Sequence, residues 1–314
     1  MAYSEQALTF AQIPADHQIR LEDRVSFLYL EYCLIRQNRT GVVAYSQDNE
    51  NKREQSIQIP VSGIAVLQLG PGTSISAAAM TSCTRAGATV LFTGGGGAPS
   101  YSYSVPLTQS ARWAIAQAKL VSSETNQRKA AVYLYRKQLG LELDPEESSI
   151  KVMRGIEGRM MKMKYQEQAR KYGIKNFRRR TDAEDPVNQG LNLANSLLYG
   201  CAVAACNAIG VNPALGVIHR GNIRSLLFDL ADLYKPQLSI PAAFAAAEED
   251  NPAEALRRRV RAEIHRNQVL KEMLSTLMHI LEPHLPARDD DRLVAGRGDE
   301  VSGHTQYGKM NKCF

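Results

Sequence analysis

No apolar run in the sequence approaches the roughly 18 residues that a membrane-spanning helix requires. The N-terminal segment MAYSEQALTFAQIPAD lacks the basic-then-apolar order of a signal peptide. The five cysteines are odd in number and show neither metal-ligand spacing nor a disulfide framework. These absences predict a reducing, cytoplasmic setting and no membrane partner.

The composition is that of a folded chain long enough for two domains. Of the 314 residues, 44% are hydrophobic and 22% are charged, which excludes wholesale disorder and a fibrous repeat. A chain of this length exceeds what one small core usually needs, so we expect two domains.

Basic residues are concentrated in one part of the chain. Residues 1–104 hold 7 Lys and Arg against 8 Asp and Glu, whereas residues 151–180 hold 11 against 2. Such an excess favours a polyanionic partner, of which nucleic acid is the commonest. The alternative is an ordinary solvated helix face, although such faces normally mix both signs.

The spacing of apolar residues predicts an α+β fold. Strand patterns cover residues 25–35, 42–46, 57–59, 64–69, 88–92 and 101–105, with one short helix beginning at Ser74. From about Leu107 the spacing becomes helical, over 112–122, 127–139, 150–172, 187–209, 226–234 and 252–281. We therefore predict a small β-rich domain over 1–106, a larger all-α domain over 107–286 and a flexible tail over 287–314.

Glu157 is the single acid of Arg154-Gly155-Ile156-Glu157-Gly158-Arg159, within the most basic segment. The two glycines each destabilise the predicted helix by about 1 kcal/mol relative to alanine. Close approach of another backbone or of a ligand should compensate for that loss.

A second polar cluster begins at His219 and continues into an apolar helix. Asp229 and Asp232 are three residues apart, so both carboxylates lie on one face of that helix. Two acids in an apolar setting need a cation between them, either an arginine in a salt-bridged pair or a metal ion. Together with Glu157, these residues offer one imidazole and several carboxylates, and such nitrogen and oxygen ligands suit Mg²⁺ or Mn²⁺. A divalent metal in a basic domain favours phosphodiester chemistry.

Five segments resemble the CRISPR-associated integrases, the catalytic subunits that insert new spacers. They are LEDRVSFLYLEY, LGPGTSIS, RGIEGRM, NQGLNLANSLLYG and GVIHRGNIRSLLFDLADLYKP, and they keep the family's order between Leu21 and Leu281. The sequence is most similar to the branch that accompanies type I-E (Cascade) systems. The resemblance implies an N-terminal β domain and a C-terminal helical catalytic domain.

The resemblance also implies residue roles and partners. Glu157, His219 and Asp232 match the family's metal ligands, and Asp229 matches an assisting catalytic carboxylate. A homodimer is implied, two of which flank a dimer of the small second adaptation subunit in a heterohexamer. The implied DNA partners are a prespacer duplex with single-stranded 3′ overhangs and the CRISPR repeat.

Four further residues match DNA contacts of the family. Tyr32 matches a tyrosine that stacks on the duplex end, with an ordinary core aromatic as the alternative. Tyr199 matches an active-site tyrosine, with helix packing as the alternative. Arg258 and Arg261 match arginines that guide the 3′ overhang, with an exposed amphipathic face as the alternative.

The sequence departs from the family pattern in three places. Ser74 and Asn222 stand where basic residues are expected, and Arg178-Arg179-Arg180 stands where aromatic residues help to recognise the protospacer-adjacent motif. Arg85 and Arg224 are candidates to replace the lost backbone contacts. The residues that recognise the motif are therefore not assigned.

Three hypotheses for the function follow. The first is a metal-dependent DNA integrase, in which the prespacer 3′-hydroxyl attacks a repeat phosphodiester by transesterification. The second is a metal-dependent endonuclease of branched DNA or RNA, with water in place of the hydroxyl. The third is a DNA-binding scaffold without catalytic activity, whose buried acids pair with arginines. Metal uptake separates the third hypothesis from the other two.

Overall fold

The computed structural model describes residues 19–47, 54–94, 99–103, 108, 110–286, 292–294 and 300–302. Within the predicted tail, only β9 (Arg292–Val294) and β10 (Glu300–Ser302) belong to the described residues, and they pair in antiparallel fashion. In these described ranges, no helix has both the length and the hydropathy needed to cross a membrane.

The N-terminal part of the chain forms two four-stranded sheets. Its strands are β1 (Val25–Leu30), β2 (Cys33–Asn38), β3 (Gly41–Gln47), β4 (Glu54–Ile59), β5 (Ile64–Leu69), β6 (Ser74–Ile75), β7 (Thr89–Thr93) and β8 (Pro99–Tyr103). One sheet has the order β1-β5-β7-β8, in which only β8 is antiparallel to its neighbour. The other has the order β4-β3-β2-β6, with β6 parallel to β2.

The single strand predicted over 25–35 is wrong, because the chain changes sheets at Tyr32. This residue has a φ of +50°, and its backbone N–H donates to the carbonyl of Pro71 (3.0 Å), outside either strand. The predicted helix start at Ser74 is also wrong. Ser74 pairs with β2 as part of β6, and Ser76 instead caps helix α1 (Ala77–Arg85).

The rest of the described chain is helical. Its helices are α2 (Arg112–Ser122), α3 (Glu124–Leu139), α4 (Ile150–Lys171), α5 (Pro186–Ile209), α6 (Ser225–Asp232), α7 (Ile240–Ala246), α8 (Pro252–Arg266) and α9 (Val269–Leu281). Ser149 and Asp185 cap the N-termini of α4 and α5, and glycines at positive φ end α3 and α5. The α+β fold class is thus confirmed, with strands before helices.

The single helix predicted over 252–281 is wrong as well. It is broken after Arg266, where Gln268 adopts a φ of +47° and α9 starts in a new direction. The sequence pattern also missed the π-helical turn Lys235–Ser239, which continues into α7.

Helix α5 is the centre of the molecule. It packs against α6, α7, α8 and α9 and also against β1, β5 and β7, so one core continues from the first sheet into the helices. Gly200 permits this close approach, because a Cβ there would lie 2.9 Å from Leu91 Cδ1 in β7. Cys201 and Cys206 are fully buried on this helix and are free thiols packed in the core.

Gly158→Ala in α4 is expected to stabilise the protein by about 0.5–1 kcal/mol, because alanine loses less backbone entropy than glycine in a helix. No neighbouring atom lies within 4 Å of the added Cβ. The free energy of unfolding in urea measures the effect. Gly210→Ala is the matched control and should destabilise, because Gly210 ends α5 at a φ of +70°. A loss of stability in Gly158→Ala would contradict the open surroundings.

Candidate active site

A cavity of about 670 Å³ lies between α3, α4 and α6, beside the loop that precedes α6. All four predicted catalytic residues line it: Glu157 from α4, His219 from the loop, and Asp229 and Asp232 from α6. The structure therefore brings together residues that lie in two distant segments of the sequence.

The buried carboxylate of Asp229 organises one wall of the cavity. Its Oδ2 accepts the backbone N–H groups of Val217 (2.6 Å) and Ile218 (3.1 Å), and its Oδ1 accepts that of His219 (3.0 Å). The same Oδ1 lies 2.8 Å from Nδ1 of His219. Because this side chain is 0% exposed, these donors compensate for the lost hydration of its charge.

His219 is oriented by this contact. The hydrogen bond to the carboxylate of Asp229 raises the pKa of the imidazole, although partial burial opposes that rise. With Nδ1 turned to Asp229, Nε2 is the nitrogen that remains available to a ligand. The ring also packs edge-on against Phe228 of α6, with 5.7 Å between centroids.

Glu157 lies close enough to Asp232 for the two charges to repel. Burial raises the pKa of Glu157, and the negative charge of Asp232 raises it further. Nearby Lys235, a hydrogen bond with Gln138, and His219 act in the opposite direction. The two carboxylates thus face a common space in which an added cation would be stabilised.

Lys235 is the functional residue that the sequence analysis missed. Its ammonium forms an ion pair with Oδ1 of Asp232, and both side chains are more than four-fifths buried. Burial lowers the pKa of Lys235, but the charge and hydrogen bond of Asp232, together with Tyr199 and Tyr165, outweigh burial and make the net shift upward. The cation beside the acids is therefore a lysine, where an arginine or a metal was expected. The Asp-x-x-Lys spacing across the end of α6 was the available signal.

The chemistry of the donor set fits a divalent cation. One imidazole nitrogen and the carboxylates of Glu157 and Asp232 line the same cavity, and such mixed ligands suit Mg²⁺ or Mn²⁺. Within the described residues these side chains do not form a closed group of three metal ligands. In this arrangement Asp232 is paired with Lys235, so a metal ion would have to take the place of that ammonium.

The two glycines beside Glu157 leave open space. No neighbouring atom lies within 4 Å of a Cβ built at Gly155 or Gly158, so the expected approach of another backbone is wrong. Gly155 lines the cavity, together with the basic residues Lys151, Arg154 and Arg220. Either another backbone or a ligand was expected to compensate for the destabilising effect of the two glycines. A bound ligand is the alternative that is left.

The two predicted tyrosines lie in different settings. Tyr32 is 71% exposed, at the break between β1 and β2, so it is not a core aromatic. Tyr199 of α5 is half-buried against Phe228 (5.4 Å between centroids), and Nζ of Lys235 lies 5.9 Å from its ring centroid. Tyr199 thus combines a packing contact with a position beside the active-site lysine. The DNA contacts of both tyrosines stay predictions.

The predicted arginines lie on α8, away from the cavity lining. Arg258 is exposed. Arg261 is also exposed, but its guanidinium stacks over Phe27 of β1, 5.1 Å from the ring centroid. One turn earlier, Arg257 stacks over Tyr29 at 4.1 Å. Arg261 therefore contributes to the packing of α8 on β1, and the DNA contacts of Arg258 and Arg261 stay predictions.

Comparisons with known proteins identify the family of the chain. Residues 136–254 match the family model described as CRISPR associated protein Cas1. The chain is 33% identical over 305 residues to CRISPR-associated endonuclease Cas1 2 of Thermus thermophilus, and the match covers 92% of each protein. The chain belongs to the Cas1 family. It is also 32% identical over 241 residues to the Cas1 endonuclease of Escherichia coli K12, with 75% of this chain and 77% of that protein covered.

Solved structures support the same assignment. The crystal structure of a TtCas1–DNA complex matches with a TM-score of 0.75 at 32% identity, covering 88% of this chain and 99% of that one. A casposase bound to its integration product matches with a TM-score of 0.63 at 14% identity, which shows a shared fold alone. The β-then-α architecture implied by the family resemblance is thus confirmed.

Asp229→Asn is expected to lower the free energy of unfolding by about 1–3 kcal/mol, because the amide nitrogen cannot accept one of the buried N–H groups. Urea titration of the metal-free protein measures the change. The matched control is Asp144→Asn, since Asp144 accepts one backbone N–H from Glu146 but is exposed. That control should stay within about 0.5 kcal/mol of wild type. Equal losses in both variants would show that burial of Asp229 is not the cause.

Proposed function

We propose that this chain is a metal-dependent DNA integrase of CRISPR adaptation, in the branch that accompanies type I-E systems. The observation that carries the proposal is the convergence of Glu157, His219 and Asp232 on one cavity beside the basic helix α4. The branch assignment rests on the sequence segments quoted above, because over most of its length the chain is similar to Cas1 proteins of diverse organisms.

The reaction is a transesterification. The prespacer 3′-hydroxyl attacks a repeat phosphorus and gives up its proton, and the released 3′-oxygen of the repeat takes up a proton. A Mg²⁺ or Mn²⁺ ion held by Glu157, His219 Nε2 and Asp232 would stabilise the charge that develops on the phosphate. Asp229 keeps His219 in position, and the basic cavity residues Arg154 and Arg220 orient the DNA backbone.

The assembly we propose places DNA on both parts of the chain. Residues 1–106 form the homodimer contact, and two dimers flank a dimer of the small second adaptation subunit. Tyr32 stacks on the end of the prespacer duplex, and Arg258 and Arg261 guide its 3′ overhang. The DNA complex of TtCas1, a relative at 32% identity, supports a DNA substrate.

A metal-dependent nuclease is the second candidate, because the relatives at 33% and 32% identity are named endonucleases. Water would then replace the 3′-hydroxyl in the same cavity. Blocked 3′ ends distinguish the two: an integrase stops joining when the hydroxyl is missing, whereas a nuclease continues to cut branched DNA.

Glu157→Gln is expected to abolish strand transfer into a supercoiled repeat plasmid, since it removes a charged ligand from the cavity. DNA binding, measured by gel shift, should persist. The matched control is Glu167→Gln on the same helix, because Glu167 is exposed and forms its ion pair with Lys164, outside the cavity lining. This control should retain full strand transfer. Wild-type rates from Glu157→Gln would remove Glu157 from the mechanism.

Wild-type protein is expected to bind Mn²⁺ in a calorimetric titration, and both His219→Ala and Asp232→Asn should lose this binding. Lys235→Gln should bind Mn²⁺ about tenfold more tightly, because the competing charge-assisted contact to Asp232 is removed. No uptake by the wild type would favour the non-catalytic scaffold. Weaker binding by Lys235→Gln would show that the lysine does not compete with the metal.

A further inference from the structure

The turn between His219 and α6 presents an apolar side chain to solvent. Ile223, at its tip, is 78% exposed, the highest exposure of any large hydrophobic side chain in the described part of the protein. The turn starts at the cavity, where Arg220 is a lining residue, and ends at Ser225, the first residue of the helix that carries Asp229. Only a few residues separate Ile223 from Arg220 on one side and from Ser225 on the other. Ile223 therefore lies beside the candidate active site.

The turn is held rigidly. Ser225 Oγ donates to the carbonyl of Asn222 (2.7 Å) and accepts its backbone N–H (3.2 Å), and Asn222 Oδ1 accepts the N–H of Arg224 (2.9 Å). The base of the turn is fully packed, since Ser225 is 0% exposed and a Cβ at Gly216 would lie 2.3 Å from the carbonyl oxygen of His219. The exposed position of Ile223 is therefore a fixed feature of the fold.

The surroundings of Ile223 indicate the kind of partner. Arg220 and Arg224 are both exposed, and neither has an ion-pair partner among the described residues. The nearest acids along the chain, Asp229 and Asp232, already face His219 and Lys235. An apolar tip between two free guanidinium groups suits DNA, which offers phosphates on the outside and base faces within.

We propose that Ile223 is a wedge that packs into the base stack of the target duplex beside the attacked phosphodiester, with Arg220 and Arg224 on the flanking phosphates. Isoleucine is among the side chains that proteins insert between base steps to unstack and kink DNA. Opening the step would turn the phosphate toward the cavity, where the attacking hydroxyl can align with it. This role rests on the proposed integrase function. It specifies how the protein distorts the target duplex beside the same site.

The test uses the full-length protein in a Glu157→Gln background, so that the DNA stays intact. The probe is a branched duplex that mimics the half-joined product, with 2-aminopurine next to the junction. Binding should raise the 2-aminopurine fluorescence, because unstacking relieves its quenching. Ile223→Ser should remove this rise and bind about tenfold more weakly, as expected for the loss of one buried apolar side chain. Ile223→Leu should keep the rise.

Met163→Ser is the matched control, because Met163 is an apolar residue of the basic helix α4 with 67% exposure. It should leave the fluorescence rise unchanged. An unchanged rise in Ile223→Ser, or an equal loss in Met163→Ser, overturns the wedge. If the Glu157→Gln protein with Ile223 intact binds the branched DNA without a rise in 2-aminopurine fluorescence, the wedge proposal is also overturned. The integrase proposal would still stand in that case. Failure of strand transfer by the unmodified protein would instead count against the integrase itself.

Discussion

One buried carboxylate determines the geometry on which the cavity depends. Asp229 has no contact with solvent, and its charge is compensated by three successive backbone N–H groups and by the imidazole of His219. Those contacts fix the conformation of the loop from Val217 to His219 and the direction of the ring. They also set the start of the turn that carries Ile223. Val217 and Ile218 are also buried in the core, so the carboxylate and these apolar contacts together hold the loop beside α6.

The remaining charges of the cavity are balanced against one another. Glu157 and Asp232 repel, and Lys235 stabilises Asp232 in the arrangement described here. Such a set is typical of a functional site, because a purely structural core would replace the charges with apolar contacts. The ammonium of Lys235 places a compensating positive charge beside Asp232 in a mostly buried position. A metal ion bound at Asp232 would have to compete with this contact.

The sequence was sufficient to predict those features of the fold that have local causes. The change of apolar period after about residue 107 predicted the helices, and local signals agree with it, since Ser149 and Asp185 cap α4 and α5 and a glycine follows α5. The motif residues at 157, 219, 229 and 232 predicted a common site, and in the structure all four line one cavity. The failures have non-local causes. Tyr32 leaves the strand because its N–H pairs with Pro71, and the break at Gln268 arises without glycine or proline to signal it. Both depend on packing between distant elements.

The close contact of α5 with the first sheet at Gly200 has a mechanical consequence. Because the core is continuous from Val66 and Leu91 through α5 to the helices around the cavity, we expect the sheet and the helices to move together. The separation between Tyr32 and Glu157 should then stay nearly constant. On the proposed function, DNA bound at both points would have to adapt its own curvature to that span, and the energy of deformation would be stored in the DNA.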